Sequence, residues 1–536
     1  MPTKPLGQMI LNRFDSARTD RSNWDSHWQD VADLIVPTRD FTVKRTPGAR
    51  RRRQIYDPTA VDANESLAAA VHGLLNNPAT RWFLLWSPEL EDRDQQVNAF
   101  LYECTTRMLT YLASPATGFP MASSELYLDL CGFGTGGVRI VEKATNLRFV
   151  GNPLSELYFV EDDDGTIQQA YRAFELRADE IARRWPKAEL PVDVKRAAGD
   201  PKQAARKFGI VHAIYRRESY DPSRRTGINK PIASVYVLQK EAAVLSEGGF
   251  DRWPMLIVRW SKAPGENYGR GPGMHAIDAV KTLNVMMYDL LVSGELALRP
   301  PLNVPAGVEG PIRTAPGSLI YYKGGDHNRV TPVQTGINAP IGFEFVQAFQ
   351  QFVEKIFFLD RLKLPERDRM TAEEIITRRQ QGLLQASPVL ARLYAEWLTP
   401  LISRVFHWML RHGKFPTPPE QLVGRRIEPQ YTSPLAQSMR ANETVSIRSA
   451  LADIAVIAQA RPEVLDNLDA DYTFRAIFGM HGTDPKTLTP LRMVQEIRRQ
   501  RQEKAATEQT LLDARDAAAA AKDAATAIDK IGAPAA

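Results

Sequence analysis

A glycine-rich run at Gly132–Gly137 (GFGTGG) has the G-x-G-x-x-G spacing with which many proteins bind dinucleotides. That chemistry requires a strand, then the glycine turn, then a helix whose amino terminus meets the phosphates. Here the residue pattern predicts the opposite order, with a helix before the run and a strand, Val138–Glu142, after it. The run therefore predicts a tight helix-to-strand turn rather than a cofactor site.

An acidic run, Glu161–Asp164 followed by Gly165, contains the carboxylates that bind Ca²⁺. An EF-hand loop starting at Asp162 would need a glutamate at its twelfth position, where this chain has Ala173. Strands are predicted on both sides, so the run favours a solvated hairpin turn.

Other patterns of catalysis and metal binding are missing from the sequence. Two cysteines, Cys104 and Cys131, are too few for a four-thiolate zinc site or a disulfide framework. The sequence has no Walker-type phosphate loop, no H-E-x-x-H pair and no G-x-S-x-G elbow. We therefore predict a protein that is not an enzyme and that needs no metal and no cofactor.

Length and composition indicate a soluble chain of several domains. The 536 residues allow three or four units of about 100–200 residues. A hydrophobic fraction of 43% and a charged fraction of 24% exclude a collagen-like or wholly disordered chain. No run of ~18 uncharged apolar residues predicts a membrane span, and the first residues lack a signal-peptide pattern. We expect synthesis in a reducing cytoplasm.

Basic residues are concentrated near the N-terminus, although the net charge of +5 is small for this length. Arg39, Lys44 and Arg45 precede an uninterrupted basic run: Arg50, Arg51, Arg52 and Arg53. Such a run can contact phosphates or an acidic neighbouring subunit. It can equally be an exposed loop without a specific role, and the sequence leaves both open.

The predicted elements form a mainly α-helical chain with an α+β region in its first half. An apolar stripe of Trp24, Trp28, Val31 and Ile35 predicts a helix over 7–36, either continuous or broken near Thr19. Further helices are predicted from Asp57-Pro58-Thr59 to Asn76-Asn77-Pro78 and over 95–130. The α+β region follows, with a helix over 178–187 and a polar linker over 188–206. The strands of this region are expected at 138–142, 148–150, 157–161, 166–174, 209–216, 232–239 and 255–260, and one earlier strand is expected at 82–86, before the helical segment 95–130.

Two long apolar helices, 273–298 and 341–360, enclose a segment rich in proline and glycine. The second helix carries an apolar stripe of Phe345, Phe349, Phe352 and Ile356. A helix that is apolar on most sides has to be buried on most sides. Copies packed side by side in a ring would achieve this, and so would a central core hairpin in a large monomer. A helix of about forty residues is then predicted over 371–410 with a capping box at its start.

Several local motifs, in this order, resemble the portal proteins (head-to-tail connectors) of short-tailed double-stranded DNA bacteriophages. The likeness covers about residues 7 to 510, and the number and order of the motifs make it specific. The motifs are Trp24-x-x-x-Trp28, Ile55–Ala60, Asn77-Pro78 with Trp82-Phe83, Glu266–Pro272, Arg369–Ile375, Ser433–Ala436 and Arg461–Asp466.

The resemblance implies a portal fold assembled as a ring of about twelve subunits at one capsid vertex. DNA would be packaged and ejected through its channel. The implied partners are the terminase, then the tail adaptor, together with capsid and scaffolding proteins. The implied regions are the wing (1–272), stem helices (273–298 and 341–360), clip (299–340), tunnel loop (361–370), long wing helix (371–410), and crown with C-terminal tail (411–536).

DNA that slides through a channel favours weak phosphate contacts over base-specific ones. The loop 361–370 carries four cations, offset by Asp360, Glu366 and Asp368. We expect these cations to face the channel, with a simple solvated connector as the alternative. They are Arg361, Lys363, Arg367 and Arg369.

Two other functions are compatible with the residue pattern. One is another virion structural protein, such as an internal or tail component, which would lack a closed ring with a duplex-wide bore. The other is a nucleic-acid enzyme acting through its carboxylates, which would depend on a divalent metal and on Asp163 or Asp164.

Overall fold

The computed structural model describes residues 3–44, 48–49, 54–89, 95–143, 145–224, 226–304, 330–333, 339–362, 387–432, 447, 449–459, 461–480, 487–489 and 491–531. They fall into two compact units. The first unit comprises Met1–Trp82 and Met108–His412 where these are described, and the second comprises Phe83–Arg107, Gly413–Thr432 and the described part of Arg440–Ala536.

The helices of residues 3–362 are α1 (Thr3–Leu34), α2 (Thr59–Leu75), α3 (Gln95–Ala113), α4 (Phe119–Phe133), α5 (Ala178–Arg184), α6 (Val192–Gly199), α7 (Pro272–Leu298), α8 (Ala339–Ile356) and α9 (Leu359–Leu362). The strands are β1 (Phe83–Trp86), β2 (Thr135–Glu142), β3 (Leu147–Asn152), β4 (Leu157–Glu161), β5 (Ile167–Arg177), β6 (Lys207–Arg216), β7 (Ile232–Leu238), β8 (Val244–Phe250), β9 (Met255–Arg259), β10 (Leu302–Asn303), β11 (Thr331–Pro332) and β12 (Glu428–Tyr431). Helices and antiparallel sheets together confirm the mixed, helix-rich class that the sequence predicts.

A five-stranded antiparallel sheet, in the order β4-β5-β6-β7-β8, is the largest sheet of the first unit. The amino-terminal half of α1 packs on one face, where Phe14 lies among Tyr158 and Tyr171. Helices α5 and α6 cover the other face around Phe174 and Phe208. Since side chains alternate along a strand, Tyr171 and Phe174 of β5 enter different cores.

The glycine run forms the turn between α4 and β2 and confirms the predicted helix-to-strand order. Gly134 ends the helix in the left-handed region, with φ +76°, and its N–H donates to the Leu130 carbonyl at 2.9 Å. Strand β2 then pairs antiparallel with both β3 and β9 in a three-stranded sheet. The short strands β10 and β11 pair with each other.

The second unit contains a two-stranded antiparallel sheet of β1 and β12. Within it the Leu85 N–H donates to Thr105 Oγ1 at 3.0 Å, which ties β1 to α3. Its later part is helical at 449–459, Ala470–Met480 and Leu491–Ile531. Arg498 forms a two-point ion pair with Asp471, at 2.6 and 2.8 Å, between the last two helices.

The predicted elements differ from the structure in several places. The segment 95–130 is interrupted at Pro115–Thr117 and at Gly118, whose φ of +68° ends the helical geometry. The predicted linker 188–206 contains α6, and β8 was not predicted at all. Helix α8 ends at Ile356 because Phe358, with φ +59°, breaks it before α9.

Part of the predicted helix 371–410 can be compared with the structure. Residues 371–386 lie outside the described part of the chain. From Ser387 to Arg411 the chain is helical, with a wider π turn at Tyr394–Leu398.

Candidate functional site

Helices α7 and α8 pack against each other in the first unit. Residues 54–57 connect Asn284 of α7 with Gln350 of α8, whereas Gly342 lies beside Leu290. From the first contact to the second, the residue numbers rise along α7, from 284 to 290, and fall along α8, from 350 to 342. The two helices are therefore antiparallel.

The second half of α7 exposes much of its apolar surface. The buried residues of α7 all lie in its first half, between Pro272 and Leu283, whereas Val285 and Leu291 are more than half exposed and Leu298 is 86% exposed. An isolated globular chain rarely leaves such a continuous apolar face in water. The sequence predicts an apolar helix here, but its composition does not show which half of the helix is uncovered.

The predicted stripe on α8 lies largely outside the core of the chain. Phe345 and Phe352 are 57% and 53% exposed, and Phe349 and Ile356 are half-buried. The fully buried positions are instead Val346, Val353 and Phe357. The helix therefore presents one apolar face to its own chain and a second, aromatic face to the outside.

The start of α7 is held against the glycine turn by direct backbone packing. A Cβ on Gly271 would lie 2.5 Å from the Leu130 carbonyl oxygen and 2.7 Å from the Gly134 nitrogen. The Gly269 N–H donates to Thr135 Oγ1 at 2.8 Å. Two motifs that looked separate in sequence, Gly132–Gly137 and Glu266–Pro272, thus form one joint that fixes the root of the helix pair.

The basic run Arg50–Arg53 lies outside the described residues, but both of its flanks are fixed. On one side Gln29 Oε1 accepts the N–H groups of Thr42 and Val43 at 2.8 and 3.0 Å. On the other side the Tyr56 N–H donates to Asn284 Oδ1 at 2.7 Å. The chain leaving the basic run therefore lies directly on α7.

Two flanking cations of the basic segment form ion pairs within the chain. Arg39 Nε donates to Asp129 Oδ1 at 2.8 Å, and Lys44 lies 3.7 Å from Glu175. Asp129 is buried, and that burial raises its pKa to about 6 even though Arg39 opposes the shift. Arg39 is therefore a structural ion-pair partner rather than a free cation.

Of the four predicted channel cations, Arg361 belongs to the short helix α9. Lys363, Arg367 and Arg369 lie outside the described residues. Phe358, three residues before Arg361, has a backbone conformation that is unfavourable for a bulky side chain, at φ +59°. This strained residue lies between α8 and α9, ahead of the predicted loop.

The acidic run forms a hairpin turn, as predicted. Asp164 Oδ1 accepts the Thr166 N–H at 2.7 Å, and Gly165 has φ +79°. Glu161 forms ion pairs with Arg259 and Lys262. Arg259 also contacts Glu396 at 2.7 Å, so this buried cluster joins β4, β9 and the helical stretch after residue 387.

No cluster of three or more potential metal-ligating His, Cys, Asp or Glu side chains occurs within the described part of the chain. In the same part, no helix combines the length and apolarity needed to cross a membrane.

Comparison with known proteins identifies the family. A model of the bacteriophage head to tail connecting protein family matches residues 8–488. The chain is 29% identical over 521 residues to the probable portal protein of Bordetella phage BPP-1, covering 94% of this chain and 93% of that protein. It is 26% identical over 527 residues to the portal protein of Salmonella phage epsilon15, covering 96% and 94%. The chain belongs to the bacteriophage head to tail connecting protein family, a structural family, as its motifs led us to expect.

Among solved structures, one described as the virion of a native gene transfer agent particle aligns with a TM-score of 0.35 and 13% identity. The alignment covers 77% of this chain and 90% of that one.

Proposed function

We propose that this chain is the portal subunit of a short-tailed double-stranded DNA bacteriophage. About twelve copies form a closed ring at one capsid vertex, each using the same pair of complementary surfaces. DNA enters the capsid through the ring during packaging and leaves through it during ejection. Membership in the connector family and near-full-length similarity to two portal proteins support this function.

The observation that most directly supports ring assembly is the exposed apolar surface of α7 and α8. Phe345 and Phe352 of α8 and Leu291 of α7 are each more than half exposed in the single chain. A neighbouring copy packed alongside would remove these side chains from water, which is the dominant favourable term in association. The alternative of a central core hairpin would instead require other parts of the same chain to cover them.

The regional assignments follow the family pattern. Residues 1–272 form the wing, 273–298 and 341–360 the stem, 299–340 the clip, and 361–370 the tunnel loop. Residues 371–410 form the long wing helix, and 411–536 form the crown and C-terminal tail. The glycine joint at the start of α7 supports a stem that is rigidly attached to the wing.

The channel contacts are electrostatic and independent of DNA sequence. Four cations of the tunnel loop face the bore and contact phosphates transiently: Arg361, Lys363, Arg367 and Arg369. The acidic residues of the same loop weaken this binding. Arg50–Arg53 contact the neighbouring subunit or phosphates.

The chain performs no catalysis and binds no cofactor. Terminase supplies the energy for packaging, and the tail adaptor replaces it when packaging ends. The ring assembles with capsid and scaffolding proteins in the host cytoplasm and remains in the virion.

Neutralising the loop cations tests the channel assignment. The variant Arg361→Gln/Lys363→Gln/Arg367→Gln/Arg369→Gln should assemble normally but change the amount of DNA packaged or retained per capsid. A matched control neutralises four basic residues of the α5–α6 region: Arg183, Lys195, Arg196 and Arg206. Packaging and retention equal to the control in the loop variant, with intact rings in both, would contradict this assignment.

A further inference from the structure

A cleft of about 760 Å³ lies in the first unit, and none of its lining residues belongs to the proposed stem helices or tunnel loop. Its walls come from the start of β5, the end of β6, strand β9 and residues 395–404. Because all of these segments belong to one chain and one unit, the cleft does not require ring assembly to exist.

Cations outnumber anions on the cleft walls. Five arginines line it, against two acidic residues, Asp251 and Glu396. Glu396 is engaged by Arg259 and Arg392, and Asp251 is shared between Lys230 and Arg411, at 3.1 and 3.3 Å. The arginines are Arg216, Arg217, Arg252, Arg259 and Arg404.

Two of these arginines retain unused binding capacity at the rim. Arg252 is exposed, and its hydrogen bond goes to the neutral Ser403 hydroxyl at 3.2 Å. Arg216 is also exposed, and its positive charge interacts electrostatically with Asp164 in the hairpin turn. Both guanidinium groups can therefore bind an additional anionic partner from solvent.

Two more arginines, one buried and one partly buried, are incompletely hydrogen-bonded. Arg404 has a side chain only 4% exposed; it contacts Glu142 at 2.9 Å, but its Nε has no partner among the described residues. Arg217 pairs with Glu247 at 3.1 Å, and its Nε is likewise unsatisfied. Both Nε atoms are shielded from solvent, so these two arginines contribute positive charge at the cleft rather than accessible donors.

The remaining walls are apolar. Ile167, Ile232, Trp253, Ile257 and Pro400 line the cleft, and Tyr220 lines it while remaining 46% exposed. Guanidinium groups suit carboxylates and phosphates alike, but aliphatic and aromatic walls suit apolar side chains rather than a sugar-phosphate backbone. Arginine together with aromatic residues is also the composition enriched at protein–protein interfaces.

We propose that this cleft is a docking site for an acidic peptide segment of a partner protein, one in which carboxylates alternate with apolar side chains. The carboxylates bind the rim arginines Arg216 and Arg252, and the apolar side chains occupy the space beside Tyr220 and Trp253. Charge complementarity and the apolar walls together select this ligand class over nucleic acid.

Fluorescence anisotropy on the full-length chain tests the site. The probe is a short fluorescein-labelled peptide of alternating Glu and Leu, compared with its Lys-Leu counterpart and with a labelled single-stranded DNA oligonucleotide. The Glu-Leu peptide should bind, and its affinity should fall as salt rises. Arg216→Gln/Arg252→Gln should weaken it about tenfold, as expected for the loss of two exposed charge contacts.

Two further variants separate the cleft from general surface charge. The matched control Arg183→Gln/Arg196→Gln removes two exposed arginines on α5 and α6 and should leave the peptide affinity unchanged. Tyr220→Ala should weaken binding about threefold by removing apolar contact area. Equal binding by the Arg216→Gln/Arg252→Gln variant and the wild-type chain would overturn the proposal, as would absence of peptide binding or tighter binding of the oligonucleotide.

Discussion

Truncating the exposed phenylalanines of α8 should weaken assembly of the ring while leaving the fold of each subunit unchanged. The double variant Phe345→Ala/Phe352→Ala removes two side chains that are 57% and 53% exposed in the single chain. Nearly half of each side chain is buried against its own chain, so the free energy of unfolding of one subunit should also fall, by about 2 kcal/mol for each side chain, and the assembly comparison is made on subunits that circular dichroism shows to be folded.

The size of the effect follows from the area available. A phenylalanine offers roughly 200 Å² of surface, so each of these side chains leaves roughly 100 Å² exposed for a neighbour to cover. At about 25 cal/mol per Å², this amounts to about 2.5 kcal/mol for each side chain and about 5 kcal/mol for both at each interface. That loss lowers the association constant by more than about a thousandfold.

Sedimentation velocity at matched protein concentrations measures the result. The double variant should sediment mainly as unassembled subunits under conditions in which the wild-type chain forms rings. Val192→Ala, an exposed apolar change on α6, should assemble like wild type. Rings of the double variant as stable as those of the wild type would refute the assignment of this face to the subunit interface.

Three other predictions concern the single subunit. Gly271→Ala should lower the free energy of unfolding by about 1–3 kcal/mol, because the new methyl group clashes with the turn after α4. Gly294 has open space around it, so Gly294→Ala should raise the free energy of unfolding by about 0.5–1 kcal/mol. Urea denaturation measures both changes. The pKa of Asp129 is about 6 in the folded chain, against an ordinary value of 3.8, so the folded state binds this proton more tightly than the unfolded state does. The contribution of Asp129 to the free energy of unfolding should therefore fall by up to about 3 kcal/mol as the pH rises from about 4 to above 6. Asp129→Asn should abolish that part of the pH dependence in unfolding titrations. Cys104 and Cys131 are buried, and burial raises both thiol pKa values, to about 12 for Cys104, so iodoacetamide at pH 8 should modify them only after denaturation.

Features set by local chemistry could be predicted from the sequence. Pro272 marks the start of α7, and the glycine after three aspartates marks the hairpin turn before β5. The stripe of Trp24, Trp28, Val31 and Ile35 predicted the buried face of the amino-terminal helical region; the last three are buried, and Trp24 is half-buried. In each case a residue type with a strong backbone or burial preference lies at the decisive position.

Features set by tertiary contacts could not be predicted in this way. Strand β8 contains Gly248 and Gly249, whose low strand propensity hides a strand that is stabilised by pairing with β7. The helix of the expected linker, α6, is short and contributes only Val194 and Ala197 to the core.

The cleft was also invisible in the sequence. Its arginines come from separate stretches between Arg216 and Arg404, and no local spacing connects them. The glycine joint was missed for the same reason, since its two halves lie more than a hundred residues apart and each alone looked like a separate motif. Only the folded backbone brings such residues together.

Native mass spectrometry of the purified full-length chain, with negative-stain images of the same sample, tests the central claim most directly. The account predicts a closed ring of about twelve copies of the 60.1 kDa chain, with a central hole wide enough for duplex DNA. An open filament, a ring without such a hole, or a chain that stays monomeric even when co-expressed with its capsid and scaffolding proteins would contradict it.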